Sequence, residues 1–198
     1  MNELLKLKQQ TKTIPINLLV QNRIPRDFFV TEGIGESDNA IHAGSYHLAL
    51  KDAGIDVCNI MVYSSILPSV ARRIEKNTTD LVHGSVMETI MACSNQKEGI
   101  RATVGIIFGW LYGRKTNEKY GGLVCEHSGT ETEEEATDIL KKSLKELYSN
   151  GYDRGFILRD VSIITKSFVP EKKFGTALVA LCFKNYIYPI INVLPKSE

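Results

Sequence analysis

Two adjacent hydroxyls, Ser64 and Ser65, follow an apolar run in the segment Asn59-Ile-Met-Val-Tyr-Ser-Ser-Ile-Leu-Pro68. Ile60 to Tyr63 has the character of a strand and delivers both hydroxyls to a bend closed by Pro68. Nothing nearby resembles a Ser-His-Asp or Cys-His arrangement that would make either serine an ordinary nucleophile. The layout suits a serine that attacks the peptide bond before it. The Ser65 hydroxyl adds to the Ser64 carbonyl, giving an ester by N-to-O acyl shift. β-Elimination then cuts the chain and leaves dehydroalanine, which loses ammonia to water and becomes a pyruvoyl group. That ketone is an electrophile no encoded side chain supplies. A bare serine pair is otherwise two polar residues ending a strand, so the weight falls on its surroundings.

At 198 residues, 43% apolar and 24% charged, the chain has the composition of one soluble globular domain, spanning 1–198. A net charge of +1, with Lys141-Lys142 and Lys172-Lys173 as isolated doublets, argues against a nucleic-acid partner. The apolar runs Val104 to Tyr112, Ala177 to Phe183 and Tyr186 to Leu194 are too short for a membrane-spanning helix, and the last contains Pro189. Lysines interrupt the apolar residues of Met1 to Gln10, so no signal-peptide core is expected, and the default is a cytoplasmic protein. Cys58, Cys93, Cys125 and Cys182 lie far apart beside apolar segments, which argues for buried free thiols over disulfides. His42, His47, His83 and His127 lack metal-ligand spacing, and no metal site is expected.

The elements that must position the serines read as follows. Phe28 to Thr31 is a short strand, followed by a glycine-bearing loop, Glu32 to Ser37, where two glycines permit positive φ and close backbone approach. Asp38 or Asn39 caps a helix from about Ala40 to Ala53, ended by Gly54, with Tyr46, Ala49, Leu50 and Ala53 on one face. Val70 to Leu81 is a polar surface loop with some helix. Val86 to Cys93, Ala102 to Tyr112 and Gly121 to His127 are strands. A helix begins at Thr130 or Thr132, glutamate-rich at its start, buries Ile139, Leu140, Leu144 and Leu147, and ends at Asn150-Gly151. Ile157 to Val169 and Phe174 to Phe183 add two β segments. About seven strands and two helices, without regular βαβ alternation, predict an α+β fold of antiparallel or mixed sheets.

With these blocks assembled, the chain resembles the pyruvoyl-dependent arginine decarboxylases, and its chlamydial-type branch more closely than its archaeal one. The resemblance rests on Gly33 to Ser37, Ala53-Gly54-Ile55 with Asn59 to Pro68, Gly121 to Glu126, and Lys173 to Leu178; His83 to Ala92 points to the chlamydial-type branch. It implies a four-layer αββα sandwich, self-cleaved into a β chain (1–64) and an α chain (65–198). It further implies homotrimers, sometimes paired into hexamers, with active sites between subunits. A covalent pyruvoyl group made from Ser65 is the implied cofactor, without metal or pyridoxal phosphate. Asn59 matches an asparagine beside the active site, implicated in processing and substrate contact, and Ser64 becomes a new carboxylate close to the substrate. Glu126 matches the catalytic glutamate; strand alternation puts it with Val124, opposite Leu123, Cys125 and His127. Desolvation in an interface pocket would raise its pKa and let it protonate the former α-carbon after CO2 departs.

One position departs from the family. The aspartate that holds the substrate guanidinium is replaced by His47, while Leu50, one helical turn on, matches a pocket-lining leucine. A carboxylate accepts two charge-assisted bonds from a guanidinium; neutral imidazole accepts one, and imidazolium repels. Asp52, Asp56 or a neighbouring subunit are the candidates to compensate, and a tolerated surface substitution is the plainer reading of His47. Three functions follow: arginine decarboxylation to agmatine, the same chemistry on another amino acid, or a homologue that never cleaves.

Overall fold

The computed structural model describes residues 17–194, so the reading of Met1 to Gln10 lies outside the described residues. Contacts gather into two units, Pro25–Tyr186 and a smaller one drawn from the two ends of the chain. In the smaller unit Asn17–Val20 pairs antiparallel with Ile190–Leu194. In chain order the larger unit contains β1 (Asp27–Ser37), a π-helical turn (Ile41–Tyr46) running into α1 (His47–Asp52), β2 (Asn59–Val62), β3 (Ile66–Pro68) and β4 (Arg72–Arg73). It continues through β5 (Val86–Lys97), β6 (Ala102–Gly113), β7 (Lys119–Gly129), α2 (Glu133–Ser149), β8 (Phe156–Phe168) and β9 (Phe174–Phe183). The class is α+β, as the absence of βαβ alternation predicts.

Two sheets result. One has the order β2-β5-β9-β1-β4 and is mixed: β9 runs antiparallel to both neighbours, while β2 and β4 pair in parallel at the edges. The other, β8-β6-β7-β3, is antiparallel throughout. Three apolar clusters join the layers. Phe28, Ile90, Ile106, Phe108, Val124, Val179 and Leu181 pack between the sheets. Phe29, Ala49, Leu50, Ala53, Leu178 and Ala180 pack α1 on the five-stranded sheet. Ile107, Leu123, Cys125, Leu140 and Leu144 pack α2 on the four-stranded one. Alternating residues on β1, β7 and β9 therefore feed different clusters, as the two-residue period of a strand requires.

The glycine-bearing segment after Thr31 is strand, and the expected loop is absent: β1 is continuous over eleven residues. Gly33 and Gly35 are there for proximity. A Cβ on Gly33 would lie 2.1 Å from the Ala49 carbonyl oxygen, and one on Gly35 would lie 2.2 Å from that of Ser45. The helical segment rests on the bare strand backbone, a contact only glycine permits. Gly35→Ala is expected to lower unfolding stability by about 1–3 kcal/mol or more, because the obstruction is backbone; urea denaturation measures it. The helix start also differs from expectation. Ala40 is the capping position and makes no side-chain cap bond. Instead Ser37 Oγ accepts from the Asn39 and Ala40 N–H groups, at 3.2 and 3.4 Å. Gly54 ends the helix at φ +70°, as its composition suggested.

Helix α2 begins at Thr132 with a full capping box: Thr132 Oγ1 accepts the Glu135 N–H, and the Glu135 carboxylate accepts the Thr132 N–H. Its buried stripe is Ala136, Leu140 and Leu144, whereas Ile139 is 37% exposed. The stretch Val70 to Leu81 contains no helix; its ordered part is β4, which pairs Arg72 and Arg73 with Asp27 and Phe28.

Candidate active site

Ser64 and Ser65 lie where the chain changes sheets. Strand β2 forms an edge of the five-stranded sheet, β3 forms an edge of the four-stranded sheet, and Tyr63, Ser64 and Ser65 link them. The expected bend is present, but Pro68 does not close it. Ile66, Leu67 and Pro68 form β3, paired with Leu123, Gly122 and Gly121 of β7. Proline is tolerated there because β3 is an edge strand. The link is fastened on both sides: the Tyr63 N–H donates to Thr89 O at 2.6 Å, and the Val124 N–H donates to Ser65 O at 2.9 Å. The Ser64 carbonyl accepts the Ile66 N–H at 3.1 Å. Although apolar, β2 is exposed, with Met61 at 50% and Val62 at 59%.

Strand alternation places Glu126 as expected. Val124 is buried between the sheets, Leu123 and Cys125 are buried under α2, and Glu126 follows Val124 to the inner side. There Ser65 Oγ donates to its carboxylate, 3.1 Å from Oε2 and 3.3 Å from Oε1. Desolvation of the half-buried carboxyl raises its pKa, opposed by the Ser65 hydrogen bond. Glu126 opens onto a cavity of about 310 Å3 lined by Val62, Met91, Ala92, Cys93, His127 and Ser128. Burial pushes the Cys93 thiol up to about 11, so it stays neutral there at ordinary pH.

The remaining residues singled out from sequence are not gathered around this pair. Asn59 is exposed at the start of β2, where its Nδ2 donates to Gly84 O at 2.9 Å. His47 is exposed on α1, and Leu50, at 7% exposure, belongs to the cluster beneath that helix. Asp52, a candidate to compensate for His47, accepts the Ile34 N–H at 2.9 Å. Among the described residues, no hydrogen bond joins Asn59, His47 or Leu50 to Ser65 or Glu126. Cys93, Met91 and His127 line the cavity without having been singled out; their signal was the position of Met91 and Cys93 on a strand that turns out to border β2. His127 is hydrogen-bonded to Glu131, whose carboxylate also accepts the Thr130 N–H at 3.0 Å. Among the described residues no cluster of three His, Cys, Asp or Glu side chains could hold a metal, and no helix is long and apolar enough to cross a membrane.

The site is thus a serine at a sheet-to-sheet link with its hydroxyl on a half-buried carboxylate. The chain belongs to the pyruvoyl-dependent arginine decarboxylase family, which matches residues 27–187, and is thereby a carboxy-lyase whose cofactor is a covalent pyruvoyl group. Among its relatives, pyruvoyl-dependent arginine decarboxylase 2 of Archaeoglobus fulgidus is 30% identical over 165 residues, covering 81% of this chain and 97% of the relative. A probable pyruvoyl-dependent arginine decarboxylase of Chlorobaculum parvum is 32% identical over 61% of this chain and 70% of its own. The Methanopyrus kandleri pyruvoyl-dependent arginine decarboxylase is 29% identical over 79% and 95%. The described residues fit a pyruvoyl group at position 65: the link is at the surface, its hydroxyl faces a carboxylate, and open space adjoins that carboxylate.

Proposed function

We propose that this protein is a decarboxylase of L-arginine, yielding agmatine and CO2, activated by its own cleavage between Ser64 and Ser65. The observation that carries the reading is the Ser65 hydroxyl seated on both oxygens of Glu126. In the precursor, Glu126 takes the Ser65 Oγ proton as that oxygen adds to the Ser64 carbonyl carbon. The Ile66 N–H already at the Ser64 oxygen stabilises the negative charge that develops there. The C–N bond then breaks, the nitrogen takes a proton, and residue 65 carries Ser64 as an ester. Loss of the residue-65 α-proton with cleavage of the Cβ–O bond releases Ser64 as a carboxylate and leaves dehydroalanine. Water replaces its nitrogen, which departs as ammonia.

Once present, the ketone supplies an electrophilic carbon for the substrate amine and a sink for the electron pair released with CO2. Glu126, kept protonated to higher pH by burial, delivers a proton to the former α-carbon. The Ser64 carboxylate, left beside the site, contributes charge to substrate binding, and Asn59 contributes contact from the base of β2.

The stacking of α1, two sheets and α2 around three clusters supports a four-layer αββα sandwich. Exposed Met61 and Val62 beside the link support assembly into trimers, in which the exposed His47 of a neighbour would complete the pocket, while Leu50, buried beneath α1, packs that helix. Four free cysteines suit a cytoplasmic location. Denaturing electrophoresis tests the central step. Fragments of about 7 and 15 kDa are expected, the shares of a 22.1 kDa chain that fall to residues 1–64 and 65–198; one intact band from mature protein removes the enzyme reading.

His47 favours a second reading of the substrate, with another amino acid in place of arginine. An imidazole cannot replace both bonds of a carboxylate to a guanidinium, a deficit of about 1.5–3 kcal/mol, or roughly 10–150-fold. His47→Asp is therefore expected to lower KM for arginine by up to that factor, with kcat little changed. CO2 release from arginine, lysine, ornithine and histidine distinguishes the readings; turnover of another amino acid with none of arginine selects the second.

A further inference from the structure

Cleavage after Ser64 creates a mechanical problem. The new end at residue 65 loses its covalent link to β2 and is left with the Val124 N–H on its carbonyl and the segment that follows it. That segment is short and spans both sheets: β3 lies on the four-stranded sheet and β4 on the five-stranded one, with Leu67 and Ala71 fully buried between. Lys119 Nζ, which sits 4.1 Å over the Trp110 ring, donates to Ala71 O at 2.8 Å. The most fully bonded anchor is Asp27, at 5% exposure. Arg72 Nε donates to Asp27 Oδ1 at 2.5 Å and Arg72 Nη2 to Oδ2 at 3.3 Å. Asn185 Nδ2 donates to Oδ2 at 2.7 Å, and the Asp27 N–H donates back to Asn185 Oδ1 at 3.1 Å. The backbone repeats the attachment, with the Arg72 N–H on Arg26 O and the Ile74 N–H on Phe28 O, at 2.9 and 2.8 Å.

Resting on the proposed cleavage, we infer that Asp27 and Arg72 are positioning residues. Their forked ion pair joins the two chains of the processed protein and holds residue 65 against Glu126. Asp27 falls in the 1–64 chain, whereas Arg72, Asn185 and Lys119 fall in the 65–198 chain. The pair thus becomes an interchain contact seven residues from the reacting position. Hydrogen bonds from Arg72 and then Asn185 hold the Asp27 carboxyl at about 2, so it remains charged across the working range. Removing Arg72 does not strand that charge: Asn185 stays, and Arg26 Nη1 lies 3.7 Å from Oδ2. An Arg72→Met protein is thus expected to fold.

The test compares kcat per cleaved site in the wild type, Arg72→Met, Arg72→Lys and Leu144→Ala, the last a core truncation under α2 that controls for lost stability. Arg72→Met is expected to lower kcat about tenfold or more with KM nearly unchanged, since small misplacements of a reacting atom are costly. Arg72→Lys, charged but without the fork, should recover part of the loss. Leu144→Ala should match the wild type despite a lower melting temperature. Failure of Arg72→Met alone to cleave supports the same positioning role one step earlier. Unchanged kcat in Arg72→Met, or an equal fall in Leu144→Ala, overturns the inference. A wild type that stays in one piece overturns the cleavage proposal instead, so the two failures are separable.

Discussion

Ser65→Ala is expected to leave one band of about 22 kDa and no detectable CO2 release, whereas Ser64→Ala still yields two fragments. The asymmetry follows from what each serine supplies. Only Ser65 Oγ reaches Glu126, and Ser64 contributes its carbonyl, whose oxygen is already held by the Ile66 N–H. An alanine at 65 removes the nucleophile and the future ketone together, so the loss is complete and no substrate concentration restores it. An alanine at 64 leaves the attacked carbonyl in place, although the cleaved end then presents a methyl beside the pocket where Ser64 had a hydroxyl. Circular dichroism should show both variants folded, because the link is at the surface and its fastenings are backbone bonds. Cleavage of Ser65→Ala at the same peptide bond, or intact Ser64→Ala beside cleaved wild type, would contradict this division of roles.

How far the sequence discloses this arrangement depends on which interactions are local. The Thr132–Glu135 capping box is legible because both partners lie within one helical turn. The inward face of Glu126 is legible because strand alternation is strict and Val124 marks the core side. Gly33 and Gly35 are misread because a strand glycine under a helix looks the same in sequence as a loop glycine. Only the tertiary approach of Ala49 and Ser45 separates the two. The strand character of Ile66 to Pro68 is hidden for a related reason: a proline closes most strands, and the edge position that tolerates it is a property of the whole sheet. Exposed β2 shows the converse: an apolar run predicts burial, yet this edge strand leaves Met61 and Val62 exposed. Nothing local in the sequence fixes the surroundings of His47 and Leu50, and the structure puts them with α1 on the outer face of the five-stranded sheet.

Glu126→Gln separates the two duties assigned to that carboxyl. Glutamine preserves size and can still accept the Ser65 hydroxyl, but it neither takes nor gives a proton. Turnover per cleaved site is expected to fall about 10²–10⁴-fold, the usual worth of a placed acid or base. Cleavage of the precursor should slow as well. The pH dependences run in opposite directions. Burial raises the carboxyl pKa, so the mature enzyme, which needs the protonated form, loses activity as pH rises through that elevated value. The precursor needs the carboxylate, so its cleavage rate falls as pH drops through the corresponding value. Both limbs should vanish in Glu126→Gln. The substitution should move stability the other way from activity, although along pH both fall together in the wild type. A carboxyl with a folded-state pKa above its unfolded one contributes fully below the unfolded pKa, and that contribution is lost as pH rises through the folded pKa. At neutral pH the neutral glutamine avoids this loss, so the variant should unfold at the same or higher urea concentration while turning over far more slowly. If Glu126→Gln retains the wild-type pH profile for both cleavage and turnover, the proton must be carried by another group, and the Ser65 contact is then only a structural hydrogen bond.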